Sequence, residues 1–288
     1  MKKSLLFILL VCCTFLFTTC IDIENPNKLL DEQVAAIDQH IQLNYPNDIV
    51  FYDGSGIRFV VRQFGSMPPA KTGQNLQVDI IGKVFKSTVP FQDELLTTKL
   101  ENVSVQGLRF VLTNNMVGSK VIAFIPSEYA FGAEGTSNVP SNSIIEYDLT
   151  LVQAQLTTAQ NNQLATDTVA IKNYIDANSI ANVVRHPSGL YYKVTKTGTG
   201  EFPTVFSTIN FTYTGKFLNS GTVFDDGRLD ALLFNLVDGF KIGLPKLRAG
   251  GKITLYVPSY LGYGSTASGA VPANSVLIFD VELNTVKN

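Results

Sequence analysis

Residues 256–283 read YVPSYLGYGSTASGAVPANSVLIFDVEL, and residues 124–151 read FIPSEYAFGAEGTSNVPSNSIIEYDLTL. The two segments align without a gap, and nine positions are identical: Pro, Ser, Gly, Val, Pro, Asn, Ser, Asp and Leu. Several other positions exchange one apolar residue for another, so the chain is a tandem repeat. The copies also differ at two aromatic positions. Tyr263 and Phe279 of the second copy correspond to Phe131 and Tyr147 of the first.

The repetition extends upstream of this block. Helical apolar spacing occurs in residues 33–43 (QVAAIDQHIQL) and again in residues 168–177 (TVAIKNYIDA), where Thr166 or Asp167 is available as a cap. Each helix is followed by a Ser-Gly pair and then by runs that alternate apolar and polar residues, as half-buried strands do. The order of elements is therefore the same in both copies.

The alignment divides the chain into units. We predict two copies of one domain, at residues 30–153 and 166–288. Residues 154–165 between them form a polar linker without Gly or Pro, which is either a flexible connector or a helical extension into the second domain.

Each unit has more strands than helices. Besides the lead-in helix, a copy contains several strands with Gly-rich turns such as Asn219-Ser-Gly221, and a short helix near residues 240–247 in the second copy. The predicted fold class is α+β. Each of the two tandem domains is expected to be an antiparallel β-sheet wrapped on a short α-helix, with a helical lead-in.

The composition is typical of a folded, turn-rich protein. Of 288 residues, 45% are hydrophobic and 16% are charged, which excludes an intrinsically disordered chain. The 22 glycines and 12 prolines suit a sheet protein with many turns. The net charge of -2 comes without the basic stripe of a nucleic-acid-binding protein, so nucleic acid is not an expected partner.

The first twenty residues, MKKSLLFILLVCCTFLFTTC, begin with two lysines and continue with an apolar run. This order is typical of a secretory signal peptide, predicted at residues 1–19; the alternative is a transmembrane anchor, for which the run is short. Cys20 would be the only cysteine of the mature chain, and Phe-Thr-Thr-Cys resembles a bacterial lipobox. We therefore predict lipidation at Cys20, followed by a tether at residues 20–29.

A lipid at this position would place the protein in the cell envelope, anchored at the outer membrane on its periplasmic or surface face. The acidic stretch after Cys20 resembles the export signals of surface lipoproteins in Bacteroidetes-type bacteria. The same carboxylates also fit a plain solvated tether. The membrane, reached through the N-terminal lipid, is thus a predicted partner, whereas the oligomeric state is left open.

The usual catalytic groups do not occur in a recognisable pattern. His40 and His186 do not occupy equivalent positions of the repeat, and no cysteine remains inside the mature domains. No cluster has metal-ligand spacing, and neither a phosphate-binding glycine loop nor a nucleophile elbow is found. A hydrolase or a cofactor-dependent enzyme is therefore not expected, nor is a metal or a cofactor.

The remaining candidates for a functional site are aromatic and aliphatic residues of the second copy. They occur in FTYTGKFLNSGTVFDD (residues 211–226), LVDGFKIGLPKLRAGGK (residues 236–252) and the block that ends at residue 283. These segments resemble FKBP-type peptidyl-prolyl cis-trans isomerases. That family has a Val-x-Tyr-Thr-Gly strand, a Phe-Asp pair, a Val-Ile-x-Gly-Trp pocket floor and a Leu-x-Phe-Asp-Val-Glu-Leu ending. The resemblance covers nearly all of the second copy from Gly189 onward and, more weakly, most of the first.

The resemblance implies an isomerase pocket in the second domain. Tyr263 would donate its hydroxyl to the substrate carbonyl before the proline, Asp225 would lie against the rotating amide, and Tyr213 would form a wall beside Asp225. The prolyl ring would be enclosed by apolar side chains: Phe224, Phe234, Val237, Phe240, Val271 and Phe279. The implied partners are proline-containing exported polypeptides.

Two departures from the family pattern affect this pocket. Phe240 stands where the family usually has a tryptophan, which keeps an aromatic ring but changes its depth. The segment of residues 225–236 is several residues shorter than in the family, so we expect the wall carried by Phe234 to be reshaped.

The first copy has lost the groups that the resemblance assigns to the reaction. The replacements are Ile80 for Tyr213, Gln92 for Asp225, Leu108 for Phe240 and Phe131 for Tyr263. Residues that form turns and strands persist, among them Gly82 and Pro126. We therefore predict a first domain that is folded but catalytically silent.

The sequence is compatible with functions of three different classes. The first is an envelope-anchored prolyl isomerase and folding helper for exported proteins, active through the second domain. The alternative is a non-catalytic chaperone or binding lipoprotein that holds peptides on the two folds. A structural part of an envelope machine is a third possibility.

Overall fold

The computed structural model describes residues 27–288. The predicted signal peptide and Cys20 with its proposed lipid lie outside the described residues. The first domain begins with helix α1 (Lys28–Asn44). Its further elements are β1 (Ile49–Tyr52), β2 (Arg58–Gln63), β3 (Met67–Pro69), β4 (Asn75–Val84), β5 (Pro90–Lys99), α2 (Gln106–Thr113), β6 (Met116–Val117), β7 (Lys120–Ile125) and β8 (Ile145–Gln155).

The second domain repeats this order, with helix α3 (Thr158–Ala177) in the place of α1. Its further elements are β9 (Val184–Arg185), β10 (Tyr191–Lys196), β11 (Thr208–Phe217), β12 (Val223–Leu232), α4 (Asp238–Gly243), β13 (Gly251–Val257) and β14 (Leu277–Lys287). The short pair β3 and β6 of the first domain is reduced in the second to a single antiparallel bridge between Thr199 and Ala249.

Within residues 27–288, each domain is built on a six-stranded antiparallel sheet. The strand order is β1-β2-β7-β8-β4-β5 in the first domain and β12-β11-β14-β13-β10-β9 in the second, which is the same order read from the opposite edge. Strands β3 and β6 pair separately. The predicted α+β class, the tandem arrangement and the helical lead-in are thereby confirmed.

The two faces of each sheet are covered by different helices. In β2, Phe59 faces the domain core, whereas its neighbour Val60 packs with Ile37 of α1. In β13, Tyr256 packs with Ile171 of α3 in the same way. Alternate strand residues point to opposite faces, so the lead-in helix covers one face and the core with its short helix covers the other. Each such buried apolar side chain contributes about 1.5–3 kcal/mol.

A helix joins the two domains. Helix α3 begins shortly after β8 ends, and Thr157 caps it: its hydroxyl accepts the N–H of Gln160 at 3.2 Å, while the Gln160 side chain accepts the N–H of Thr157 at 3.0 Å. Most of the linker at residues 154–165 is therefore a helical extension of the second domain. The caps predicted at Thr166 or Asp167 are wrong, because the helix begins earlier and both residues lie inside it.

Shorter features complete the second domain. The helix predicted near residues 240–247 is present as α4, followed by the 3-10 turn Leu244–Lys246. The predicted glycine turn joins β11 to β12, and Gly221 adopts a φ of 69°, which costs glycine little. Over residues 27–288, no helix is both long and apolar enough to cross a membrane.

Candidate functional site

The candidate site begins at a β-bulge between β11 and β12. Gly215 pairs with Asp225, whereas the next residue of β11 pairs with Val223. Phe224 is therefore the extra residue of β12, and a bulge of this kind re-aims side chains that would otherwise alternate. As a result, the Phe224 ring packs on the core while the adjacent Asp225 carboxylate reaches Tyr213.

An apolar floor lies next to the bulge. Phe240 of α4 and Phe279 of β14 are buried, and their ring centroids are 4.8 Å apart at an interplanar angle of 82°. Phe224 packs edge-on against Phe279 at 5.8 Å. Val237 and the buried Val271 belong to the same cluster. Of the side chains predicted to enclose a prolyl ring, Phe224 and Phe240 thus both contact Phe279, while Val237 and Val271 belong to the core of the same domain.

Polar groups stand at the exposed edge of this floor. The Tyr213 hydroxyl donates to Asp225 Oδ2 at 2.8 Å. Burial, this hydrogen bond and the charge of Asp225 raise the pKa of Tyr213 to about 12. Tyr263 is 37% exposed, and its pKa is also raised, by burial and by the negative charge of Asp225. The three side chains form one electrostatic group, in which both phenols keep their protons at neutral pH.

The loop that carries Tyr263 is held by the lead-in helix. Ser259 opens the 3-10 helix Ser259–Leu261, and its carbonyl accepts the N–H of Gly264 at 2.8 Å, which closes the chain around Tyr263. Asp167 of α3, only 2% exposed, accepts the N–H and the hydroxyl of Ser259 at 2.8 and 2.6 Å. This buried carboxylate therefore anchors the loop.

Sequence reasoning missed this role of Asp167, although the repeat contains a signal for it. Gln33 occupies the equivalent place on α1, and its side-chain oxygen accepts the N–H of Ser127 at 2.8 Å. Each polar residue precedes a buried isoleucine by one helical turn, Ile37 in α1 and Ile171 in α3. A polar side chain on the apolar face of both lead-in helices marks the anchor.

Phe234 lies apart from this group. Its ring stacks on Phe206 at 5.6 Å and packs against Phe51 of the first domain at 5.1 Å, and Lys241 Nζ is 5.5 Å from its centroid. The structure therefore places Phe234 in the contact between the domains instead of the predicted pocket wall. The reason is that β12 leads directly into the 3-10 turn Leu233–Asn235, which leaves no segment to fold back over the floor.

The first domain keeps the frame of the site without its polar edge. Phe91 is likewise the extra residue of a bulge, between β4 and β5, and its ring packs edge-on against Tyr147 at 6.1 Å. Phe131 also packs edge-on against Phe91, at 5.7 Å. Ile80 is fully buried, and Gln92 stands in the place of the carboxylate. The hydrogen-bonded pair of phenol and carboxylate has no counterpart here.

The histidines serve local structure. His40 packs edge-on against the rings of Phe85 and Phe124 at 5.0 and 5.4 Å. His186 Nδ1 lies 2.9 Å from the hydroxyl of Ser188. Burial lowers the pKa of both imidazoles. In the described part of the chain, no group of His, Cys, Asp or Glu side chains is arranged to hold a metal ion.

Similar proteins occur in several bacteria. The chain is 40% identical over 112 residues to the FKBP-type peptidyl-prolyl cis-trans isomerase FkpA of Buchnera aphidicola subsp. Schizaphis graminum, over 37% of this chain and 44% of the relative. It is 39% identical over 105 residues to FkpA of Escherichia coli strain K12, over 35% of this chain and 38% of the relative. The chain thus spans less than half the length of these relatives. The crystal structure of FkpA from Escherichia coli matches 47% of this chain and 75% of its own, at 27% identity and a TM-score of 0.39.

The family model for FKBP-type peptidyl-prolyl cis-trans isomerase matches the chain twice, at residues 68–152 and 200–284. One match falls in each domain, and together they cover more than half of the chain. The resemblance seen in the second copy, and its weaker form in the first, are both confirmed. The chain therefore belongs to the FKBP-type peptidyl-prolyl cis-trans isomerase family, with two domains of that family in tandem.

Proposed function

We propose that this protein is a peptidyl-prolyl cis-trans isomerase that assists the folding of exported polypeptides through its second domain. One observation carries the proposal: a polar edge beside an apolar floor. The hydrogen-bonded Tyr213 and Asp225 lie together with Tyr263 next to the buried rings of Phe240 and Phe279. The first domain keeps an apolar cluster and lacks this edge.

The reaction that such a site favours is rotation about an X-Pro amide. Resonance sets a barrier of about 18–20 kcal/mol, and the unaided rotation takes tens of seconds. The twisted amide has lost its resonance and is less polar than the planar one, so a dry apolar site stabilises the twisted form preferentially. No covalent bond is made or broken, and the reaction therefore needs no nucleophile.

Each residue of the site has a task in this rotation. The Tyr263 hydroxyl donates to the carbonyl oxygen of the residue before the proline and holds that oxygen while the amide turns. Asp225 faces the rotating amide, and Tyr213 fixes its carboxylate through the 2.8 Å hydrogen bond. Phe240 and Phe279 receive the prolyl ring.

The relatives support this activity at the level of the family. Both FkpA proteins bear the name peptidyl-prolyl cis-trans isomerase, and the matching family model has the same description. Because the chain spans less than half of each relative, the transfer of the activity to this protein, and its assignment to one domain, are our proposals.

Two substitutions at the polar edge test the proposal. We expect Tyr263→Phe and Asp225→Ala each to lower kcat/KM about five- to tenfold, because each removes an interaction worth about 1–1.5 kcal/mol in the transition state. The measurement is a protease-coupled assay with an X-Pro peptide. Gln92→Ala is the matched control for Asp225→Ala, and Tyr147→Phe removes a hydroxyl of the first domain at the position equivalent to Phe279.

The controls separate the two domains. Both control variants should keep the wild-type rate, and equal losses in the control and test variants would contradict catalysis by the second domain. A wild-type protein that leaves the isomerisation rate unchanged, yet suppresses aggregation even after both edge substitutions, would instead favour the non-catalytic chaperone.

The pH dependence follows from the two phenols. The pKa of Tyr213 is raised to about 12, and the pKa of Tyr263 is raised above its ordinary value, so both hydroxyls stay protonated in mildly alkaline solution. We therefore expect kcat/KM to stay constant from about pH 7 to about pH 9.5. Exchange NMR on the peptide gives this profile without a protease. A decline with a midpoint below about pH 9 would exclude the phenol as the required donor.

We also propose that the protein acts in the cell envelope, held by a lipid on Cys20. The basic start, the apolar run and the absence of any later cysteine support this placement. Exported polypeptides would then be its substrates, because they complete their folding in that compartment and their X-Pro bonds isomerise slowly without help.

A further inference from the structure

The two domains share a contact surface, here called the domain interface. It combines an aromatic contact with charged and polar contacts that all cross between the domains. Its principal members are Phe51, Lys71 and Gln74 of the first domain and Phe234, Asp238 and Tyr260 of the second.

Lys71 crosses the domain interface with its ammonium group. Its Nζ lies 2.8 Å from Asp238 Oδ2, donates to the carbonyl oxygen of Tyr260 at 2.7 Å and lies 4.2 Å from the centroid of the Tyr260 ring. The Asp238 side chain is only 10% exposed and also pairs with Lys241 Nζ at 3.2 Å, whereas the Lys71 side chain is 35% exposed, so the ion pair is shielded on its carboxylate side. Shielded, charge-assisted contacts are stronger than exposed ones and define geometry more sharply.

Gln74 provides a second, uncharged link to the same tyrosine. Its side chain is fully buried, and Nε2 donates to the Tyr260 hydroxyl at 2.9 Å. A buried amide N–H without an acceptor lowers the free energy of unfolding, so the fold is more stable when Gln74 keeps this hydrogen bond. The first domain therefore holds Tyr260 at both its carbonyl and its hydroxyl.

The residues of the domain interface adjoin those of the isomerase site along the chain. Asp238 is the first residue of α4, two positions before Phe240. Tyr260 is the middle residue of the 3-10 helix, three positions before Tyr263. Lys71 thus connects the helix that carries the floor to the loop that carries the donor hydroxyl.

The aromatic contact adds a third link. Phe51 packs against Phe234, which lies between the end of β12 and the start of α4. Phe206, from the segment before β11, packs against both rings at 5.5 and 5.6 Å. The segment that precedes α4 is therefore held by the first domain as well.

We propose that the first domain is a scaffold for the isomerase site and that Lys71 is its main positioning residue. This inference rests on the proposed function and goes beyond it, because it assigns a structural role to the first domain, which we predict to be catalytically silent. Lys71 acts through its neighbours: it keeps α4 and the Tyr263 loop at the separation that an X-Pro amide requires.

The test uses the full chain with Lys71→Met, which removes the charge and keeps an apolar stem against Tyr260. We expect kcat/KM to fall about fivefold, because small displacements of positioned groups reduce rates strongly. Lys71→Arg should restore most of the activity, since a guanidinium still pairs with Asp238. The control, Lys83→Met, removes the ion pair with Glu146 inside the first domain and should keep the wild-type rate.

Amide hydrogen exchange provides a readout that does not depend on activity. In Lys71→Met, exchange at residues 238–243 and 259–264 should become about tenfold faster while β11 is unchanged, and Lys83→Met should show neither effect. Equal exchange and equal kcat/KM in the two variants would overturn the inference. An inactive wild-type chain would overturn the proposed function alone, and exchange would then decide the role of Lys71.

Discussion

Gly215→Ala is expected to lower kcat/KM about 30-fold or more, because a methyl group at this position displaces two rings of the isomerase site. A Cβ on Gly215 would lie 2.7 Å from Cζ of Phe224 and 2.9 Å from Cε1 of Phe279. Carbon atoms do not pack this closely, so both rings have to move. Overpacking costs about 2 kcal/mol of stability. If the displaced rings weaken transition-state binding by the same amount, the rate falls about 30-fold.

The repeat provides a matched control for this substitution. On Gly82, the equivalent glycine of the first domain, a Cβ would lie 2.7 Å from Tyr147 and 2.9 Å from Phe91. Neither Gly82 nor Gly215 has a positive φ, so alanine strains the backbone at neither position and the steric effect is the same. Gly82→Ala should lose similar stability and keep the wild-type kcat/KM.

The peptide assay and thermal unfolding by circular dichroism, applied to both glycine variants, measure these effects. If Gly82→Ala lost as much activity as Gly215→Ala, catalysis would not belong to the second domain alone. If neither lost activity, the rings beside Gly215 would not form the prolyl site.

The fold was predictable because its signals are local and occur twice. Apolar alternation in the strands and helical spacing near Ile37 and Ile171 report which faces are buried, and the repeat shows the same faces in both copies. The contact between Tyr213 and Asp225 was predictable as well, because these residues lie on neighbouring strands that a short turn joins. The bulge that lets Phe224 and Asp225 reach the same site could not be predicted, since nothing in the Phe-Asp pair specifies a shift of register.

The domain interface could not be predicted, because it joins residues that are distant in sequence. Lys71 and Tyr260 are 189 positions apart, and no period or motif connects them. The prediction for Phe234 was wrong for a related reason: its place in the second copy suggested a wall, but packing against Phe51 decides its position. The start of α3 was misplaced because its first turns are mostly exposed and polar, so they lack an apolar stripe.

Asp167→Ala is expected to destabilise the second domain by about 3 kcal/mol. The carboxylate is 2% exposed and accepts hydrogen bonds from the N–H and hydroxyl of Ser259 and from Gln163 Nε2 at 2.8, 2.6 and 2.7 Å. Gln163 is only half-buried and turns to solvent when its partner is lost. The two donors of Ser259 are buried, and leaving each unsatisfied costs about 1–3 kcal/mol.

Urea unfolding followed by far-ultraviolet circular dichroism measures this loss, since the chain has no tryptophan. Asp167→Asn keeps an acceptor oxygen for Ser259 and should retain most of the stability. Gln33→Ala removes the equivalent acceptor in the first domain and should cost about 2 kcal/mol there. If Asp167→Ala and Asp167→Asn unfolded at the same urea concentration, hydrogen bonding to Ser259 would not be the source of the effect.

The activities of the same variants separate anchoring from general stability. The carbonyl of Ser259 closes the loop around Tyr263, so loss of the Asp167 carboxylate frees the donor hydroxyl even while the domain stays folded. Asp167→Ala should therefore lower kcat/KM at temperatures where circular dichroism shows the native fold. Gln33→Ala leaves the Tyr263 loop in place and should not lower it under those conditions. Equal reductions in the two variants would mean that both act through stability, and Asp167 would then not be an anchor of the site.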